Sequence, residues 1–147
     1  MNEESQPQAE AMPAGMPDWF LQALVNVANG NDWEIGITLN VGGFLVSGTL
    51  ISGNKYFEGF ATEFSGAFRE QDVAEEIRDT ISKFGDIYRP KEHSEPELPP
   101  PSFIHLKEAR FFHTNGNPLP MNRGVLWRGR LLEVSGFFLG QLSANNE

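Results

Sequence analysis

Trp33, Ile35, Ile37, Leu39 and Val41 alternate with Glu34, Gly36, Thr38 and Asn40. A period of two marks a strand with one buried face. Gly42-Gly43 supplies the positive φ of a tight hairpin, and Phe44 to Ile51 returns as a second strand. Gly48, inside that strand, predicts a sharp bend. Upstream, Pro17-Asp18 is a helix start. Phe20, Leu24 and Val27 follow at helical spacing, joined by Leu21, Val25 and Ala28, and Asn29-Gly30 offers a left-handed stop.

After Ile51 the period becomes helical. Tyr56, Phe60, Phe64 and Phe68 stand four apart, with Phe57 beside them. Asp72 with Glu75 three positions on reads as a capping box. Val73, Ile77, Ile81 and Phe84 then share a face, and Gly85 ends it. Two short amphipathic helices over residues 53–85 are predicted. Arg89 to Ser102 is rich in Pro and Glu, including Pro99-Pro100-Pro101, and reads as an extended acidic spacer. Strands resume at Phe103 to His113, Val125 to Val134 and Phe137 to Leu142, with Ser135-Gly136 separating the last two.

The order is helix, two strands, two inserted helices, three strands. It predicts an α+β, mainly β domain: a small bent five-strand barrel or sheet over residues 18–142. The N-terminal helix precedes it, and the two-helix insertion falls between strands 2 and 3. Ile37-Thr38-Leu39 with Val46 to Leu50, Phe103 to Ala109, and Trp127-Arg128-Gly129 resemble the bent strands of Sm-like or SH3-like barrels. A five-strand sheet with helices on one face is the rival arrangement.

The 147 residues suit one domain. Residues 1–17 hold three prolines, three glutamates and almost nothing large to bury, and are expected to be a disordered acidic arm. Residues 143–147 make a short tail. The chain has no cysteine, so no disulfide framework and no thiolate chemistry. No secretory leader is recognisable and no run approaches a membrane span, so the expected location is cytoplasmic. The net charge is −9. It opposes binding to nucleic acid and to anionic lipid. Charge is uneven: from Ser102 onward five basic residues face three acidic ones.

Catalytic constellations are missing. His93, His105 and His113 lack metal-ligand spacing, and a structural role is expected for them. Glu75, Glu76 and Asp79, like Glu92, Glu95 and Glu97, sit in segments expected to be solvated. No nucleophile elbow or phosphate loop is present. The expectation is no enzyme, no cofactor and no metal. The aromatic rows default to core, yet twelve phenylalanines exceed what one small barrel covers, which leaves room for an exposed patch. The candidate interaction residues are Arg110, Arg128, Arg130, Phe60 and Phe64.

Phe103 to Lys107, Trp127-Arg128-Gly129-Arg130 and Glu133-Val134-Ser135-Gly136-Phe137-Phe138-Leu139-Gly140 form an ordered set. With Ile37 to Val41, Val46 to Ser52 and Tyr56-Phe57, it resembles the gas vesicle accessory protein GvpU family. The resemblance implies a non-enzymatic protein that associates with the gas vesicle shell or other gas vesicle proteins. It also implies a role in gathering vesicles through weak self-association or homo-oligomerisation. The alternative is an Sm-like RNA-binding or small-barrel interaction module. The net charge opposes it, as does the missing Asp-x-x-Met-Asn pattern after the second strand.

Overall fold

The structure, a computed structural model, describes residues 15–89, 100–113, 117–120 and 123–143. Most of the acidic arm, the centre of the Pro/Glu segment and most of the tail lie outside these residues.

Helix α1 (Trp19–Asn31) is capped by Asp18, whose carboxylate accepts from the Phe20 N–H at 2.8 Å. It runs past the expected stop at Asn29-Gly30. Asp32 takes the left-handed position instead, at φ 58°. Asn29 is buried because its side-chain oxygen accepts from the Gly53 N–H at 2.9 Å. A residue that reads locally as a stop thus serves a distant helix start. Of the expected apolar set, Leu21, Val25 and Ala28 form the buried face. Phe20 lies half exposed against the Phe137 ring at 5.9 Å.

Strands β1 (Ile35–Val41) and β2 (Phe44–Ile51) form the expected hairpin, with Gly42 at φ 60° and Gly43 at φ 89°. Trp33 stands outside the strand and is exposed. At Gly48 the pairing with β3 (Phe103–Phe112) slips between Ser47 and Thr49. A Cβ on Gly48 would stand 2.9 Å from the Lys107 carbonyl oxygen. The bend therefore needs glycine for close backbone approach.

The sheet is antiparallel and has six strands rather than five. Its order is β4 (Pro118–Leu119), β3, β2, β1, β6 (Val134–Leu139), with β5 (Val125–Arg130) pairing the same edge of β3 as β4. The two-residue β4 is the strand beyond the expected five. The break between β5 and β6 is a 3₁₀ turn at Leu131–Glu133, not Ser135-Gly136. β5 pairs β3 and β6 pairs β1, so the sheet is open.

One face of the sheet carries the core. Ile37, Leu39, Val46, Leu50, Ile104, Leu106 and Leu131 bury against α1. Residues alternating with these point the other way, towards the insertion. There, α2 (Gly53–Ser65), α3 (Gln71–Lys83) and a 3₁₀ segment (Phe84–Tyr88) lie between β2 and β3, as expected. Ser52 caps α2 by accepting from the Lys55 N–H at 3.0 Å. The expected capping box of α3 is not formed. Glu70 is its N-cap without a side-chain bond, and Asp72 sits in the first turn. No α3 residue is buried, so its apolar face is only partly covered.

Candidate functional site

Alternation in β5 sends Trp127 to the core side, where it meets Phe111 at 6.1 Å. Gly129 leaves room for that indole; a Cβ there would collide with it. Arg128 therefore projects to the opposite side, into the layer beneath α2. Its partners come from three elements. The guanidinium carbon stands 3.8 Å above the Phe103 ring of β3 and 5.4 Å from the Phe57 ring of α2. Nη1 donates to the Tyr88 hydroxyl of the 3₁₀ segment at 3.1 Å, and lies 2.8 Å from His105 Nε2.

His105 alternates with Ile104 and Leu106, so it faces away from the main core. It is nevertheless only 1% exposed. The Tyr56, Tyr88 and Phe57 rings surround it at 4.8, 5.2 and 6.0 Å. Burial, and secondarily the neighbouring Arg128 charge, lowers its pKa to about 3, so the imidazole is neutral across ordinary pH. The Tyr56 phenol is pushed up by burial, against the pull of Arg128. Gly53 lets the Tyr88 ring lie against the start of α2, where any Cβ would run into it.

Beside Arg128 opens a groove of about 340 Å³, lined on its apolar side by Ile87, Tyr88, Pro100, Pro101 and Phe103, with Asn26 and Asn29 at its polar wall. Gln22 anchors this rim by donating to the Pro101 carbonyl at 2.9 Å. A second groove shares Phe103 and Ser102, and is lined further by Gly15, Pro17, Arg130 and Leu132. Among the described residues, no carboxylate forms an ion pair with Arg128. Glu34 lies 2.9 Å from Lys55 and 2.8 Å from Lys107. Hydrogen bonds from those two lysines hold its carboxyl below the usual carboxylate range.

The candidate residues from the sequence fall into three places. Arg128 and Arg130 stand two apart on β5 and flank Phe103. Arg110 lies away from them, in a separate groove with Glu108 and Gln141. Phe60 and Phe64 project from α2 as part of a ring ladder. Tyr56–Phe60, Phe60–Phe64 and Phe64–Phe68 centroids are 5.9, 5.9 and 5.6 Å apart. Only Tyr56 is buried; Phe60, Phe64 and Phe68 are 39%, 46% and 38% exposed. The default core reading of this row fails at its last three positions, because α2 meets the sheet through Tyr56, Phe57, Gly59 and Ala61 instead.

The sequence pattern gives His105 a structural role and does not join it to Arg128. The alternation Phe103-x-His105 opposite Arg128-x-Arg130 was the available signal. Tyr88 had none, since its place depends on how the insertion folds back. Among the described residues, no group of three or more His, Asp or Glu side chains is placed to hold a metal ion. Nor is any helix long and apolar enough to cross a membrane.

The family of gas vesicle protein GvpU-like proteins matches residues 18–142, nearly the whole folded region, and the chain belongs to that family. No curated protein and no solved structure matches it.

Proposed function

We propose that this member of the GvpU-like family is an accessory protein that holds on to the gas vesicle shell and gathers vesicles together by weak contacts between its own copies. Membership supplies the gas vesicle setting. The observation that carries the mode of attachment is the Phe60–Phe64–Phe68 ladder, two rings on α2 and a third just past its C-terminal end, each more than a third exposed. A contiguous apolar ridge on a soluble domain is the usual mark of a protein contact. Phenylalanines that already pack on one another lose little further freedom on docking. The reading is non-enzymatic, with other gas vesicle proteins as partners and neither nucleic acid nor lipid among them. A further part of it is that the sheet is an opened small barrel of Sm or SH3 plan, supported by β6 lying beside β1 and by the 3₁₀ turn leading into it.

The test is co-sedimentation or flotation with purified gas vesicles, using wild type and the double variant Phe60→Ser/Phe64→Ser. Wild type should travel with the vesicles and the variant should stay in solution with an unchanged circular dichroism spectrum. A wild-type protein that never accompanies vesicles removes the functional assignment. A variant that binds as wild type removes the ladder from it. Attachment through rings should survive high salt. Clustering through exposed charges should weaken, because such pairs contribute only ~0–1 kcal/mol each and are screened within about 3 Å at 1 M salt.

A further inference from the structure

We propose that the groove beside Arg128 is a receptor for glutamate carboxylates in the N-terminal segment, residues 1–14, of a second copy of this chain. The inference rests on the self-association reading and gives it a site.

Arg128 is a fixed charge in a half-buried, largely aromatic setting. Its flat faces are covered by Phe103 and Phe57, and one edge is spent on Tyr88 and His105. Neither partner is a carboxylate, and the charge has no counter-ion among the described residues. A guanidinium has five N–H donors in a fork that suits a carboxylate. Here the stacking rings and the two hydrogen bonds hold that fork in place, so little freedom remains to be lost on binding. The groove in front of it is lined by Pro100, Pro101 and Ile87 together with the asparagines Asn26 and Asn29. That lining suits an extended peptide with small and proline residues better than a compact ion. Residues 1–14 supply that chemistry: Glu3, Glu4 and Glu10 interspersed with Pro7, Pro13 and alanines.

The position of the N-terminus supports the same occupant. Gly15 and Pro17, where the described chain begins, line the neighbouring groove with Arg130 and share Phe103 and Ser102 with the Arg128 groove. The segment therefore leaves the domain beside the receptor. An arm on one copy and a groove on the next make a head-to-tail contact, which extends assemblies instead of closing them into pairs. That is what bridging vesicles requires.

The experiment measures self-association of the full-length chain by sedimentation and light scattering, without vesicles. Two variants are made: Arg128→Gln, with an intact arm and an altered groove, and the triple Glu3→Gln/Glu4→Gln/Glu10→Gln, with an intact groove and a neutralised arm. Wild type should associate more strongly as concentration rises, and each variant alone should associate at least fivefold more weakly. Mixed one to one, the two variants should recover association limited to pairs, since each mixture holds one working arm and one working groove. Failure of the folded variants to complement would overturn the proposal, as would a triple variant that associates like wild type. Arg128→Lys guards against a folding artefact: the lysine keeps the charge without the fork and should fall between wild type and glutamine. If wild type accompanies vesicles but the triple variant also clusters them fully, attachment stands and this receptor falls.

Discussion

Arg128 donates a 2.8 Å hydrogen bond to Nε2 of His105, a permanent cation serving a neutral ring. Arginine has no acceptor, so Nε2 must be the lone-pair nitrogen and the proton must sit on Nδ1. Nδ1 is buried without a hydrogen-bond partner and is enclosed by aromatic rings. Protonating this ring would put two like charges in contact.

Stability should therefore fall with acidification before the carboxylates titrate. The unfolded histidine takes a proton near its ordinary 6.5, whereas the folded one resists to about 3. Between those values the unfolded state holds more protons, so stability is full above pH 6.5 and is lost as pH drops. The limiting slope is about 1.4 kcal/mol per pH unit. Urea midpoints at pH 7 and pH 5 should differ clearly in wild type and much less in His105→Gln. Equal losses in both would place the effect elsewhere.

Tyr56 and Phe64 lie on one helix face by spacing but differ in burial. Tyr56→Ala should cost ~3–5 kcal/mol, the range for an aromatic removed from a packed site. Phe64→Ser should cost about 1 kcal/mol or less, since nearly half the ring already meets water. Chemical denaturation of both variants measures the contrast. Similar large losses would mean that the ladder is structural.

Trp127 and Phe138 differ in the same way. Trp127→Ala removes a ring packed on the core beside Phe111 and should lower stability by ~3 kcal/mol or more. Phe138 is half exposed on the edge strand β6, and Phe138→Ala should cost about 1 kcal/mol. Thermal melts of the pair decide it.

Gly48→Ala should destabilise by ~1–3 kcal/mol. The new methyl would press on the Lys107 carbonyl and the Ala109 backbone, neither of which can rotate away. An unchanged denaturation midpoint would show that the β2–β3 slip can absorb a side chain.

The hairpin and the order of elements were legible because their signals are local. Strict alternation set the face of β1, and Gly42-Gly43 set the turn. Asp18 likewise announced the cap it makes. What stayed hidden depends on distant partners. Asn29 looks like a helix stop until Gly53 is brought to it, and the Asp72 capping pattern yields to Glu70. The Phe row has perfect helical spacing, but spacing alone does not say how far a helix extends beyond the sheet it crosses. Arg128 reads from the sequence only as a candidate interaction residue. Its shelter under Tyr88 and Phe57 arises from the fold-back of an insertion that no local pattern encodes.

That insertion separates Ile51 from its ladder partner His105, so β2 must find β3 across about fifty residues. Loop-closure entropy grows only with the logarithm of length, and doubling such a connection costs about 0.6 kcal/mol. The native state is thus nearly indifferent to how long the segment between α3 and β3 becomes, while the search for the β2–β3 register slows with sequence separation. Length variation among relatives should collect in this one connection, with the β1–β2 hairpin on one side and the β3–β6 half of the sheet on the other left unaltered. Folding should begin from the hairpin and close the sheet last.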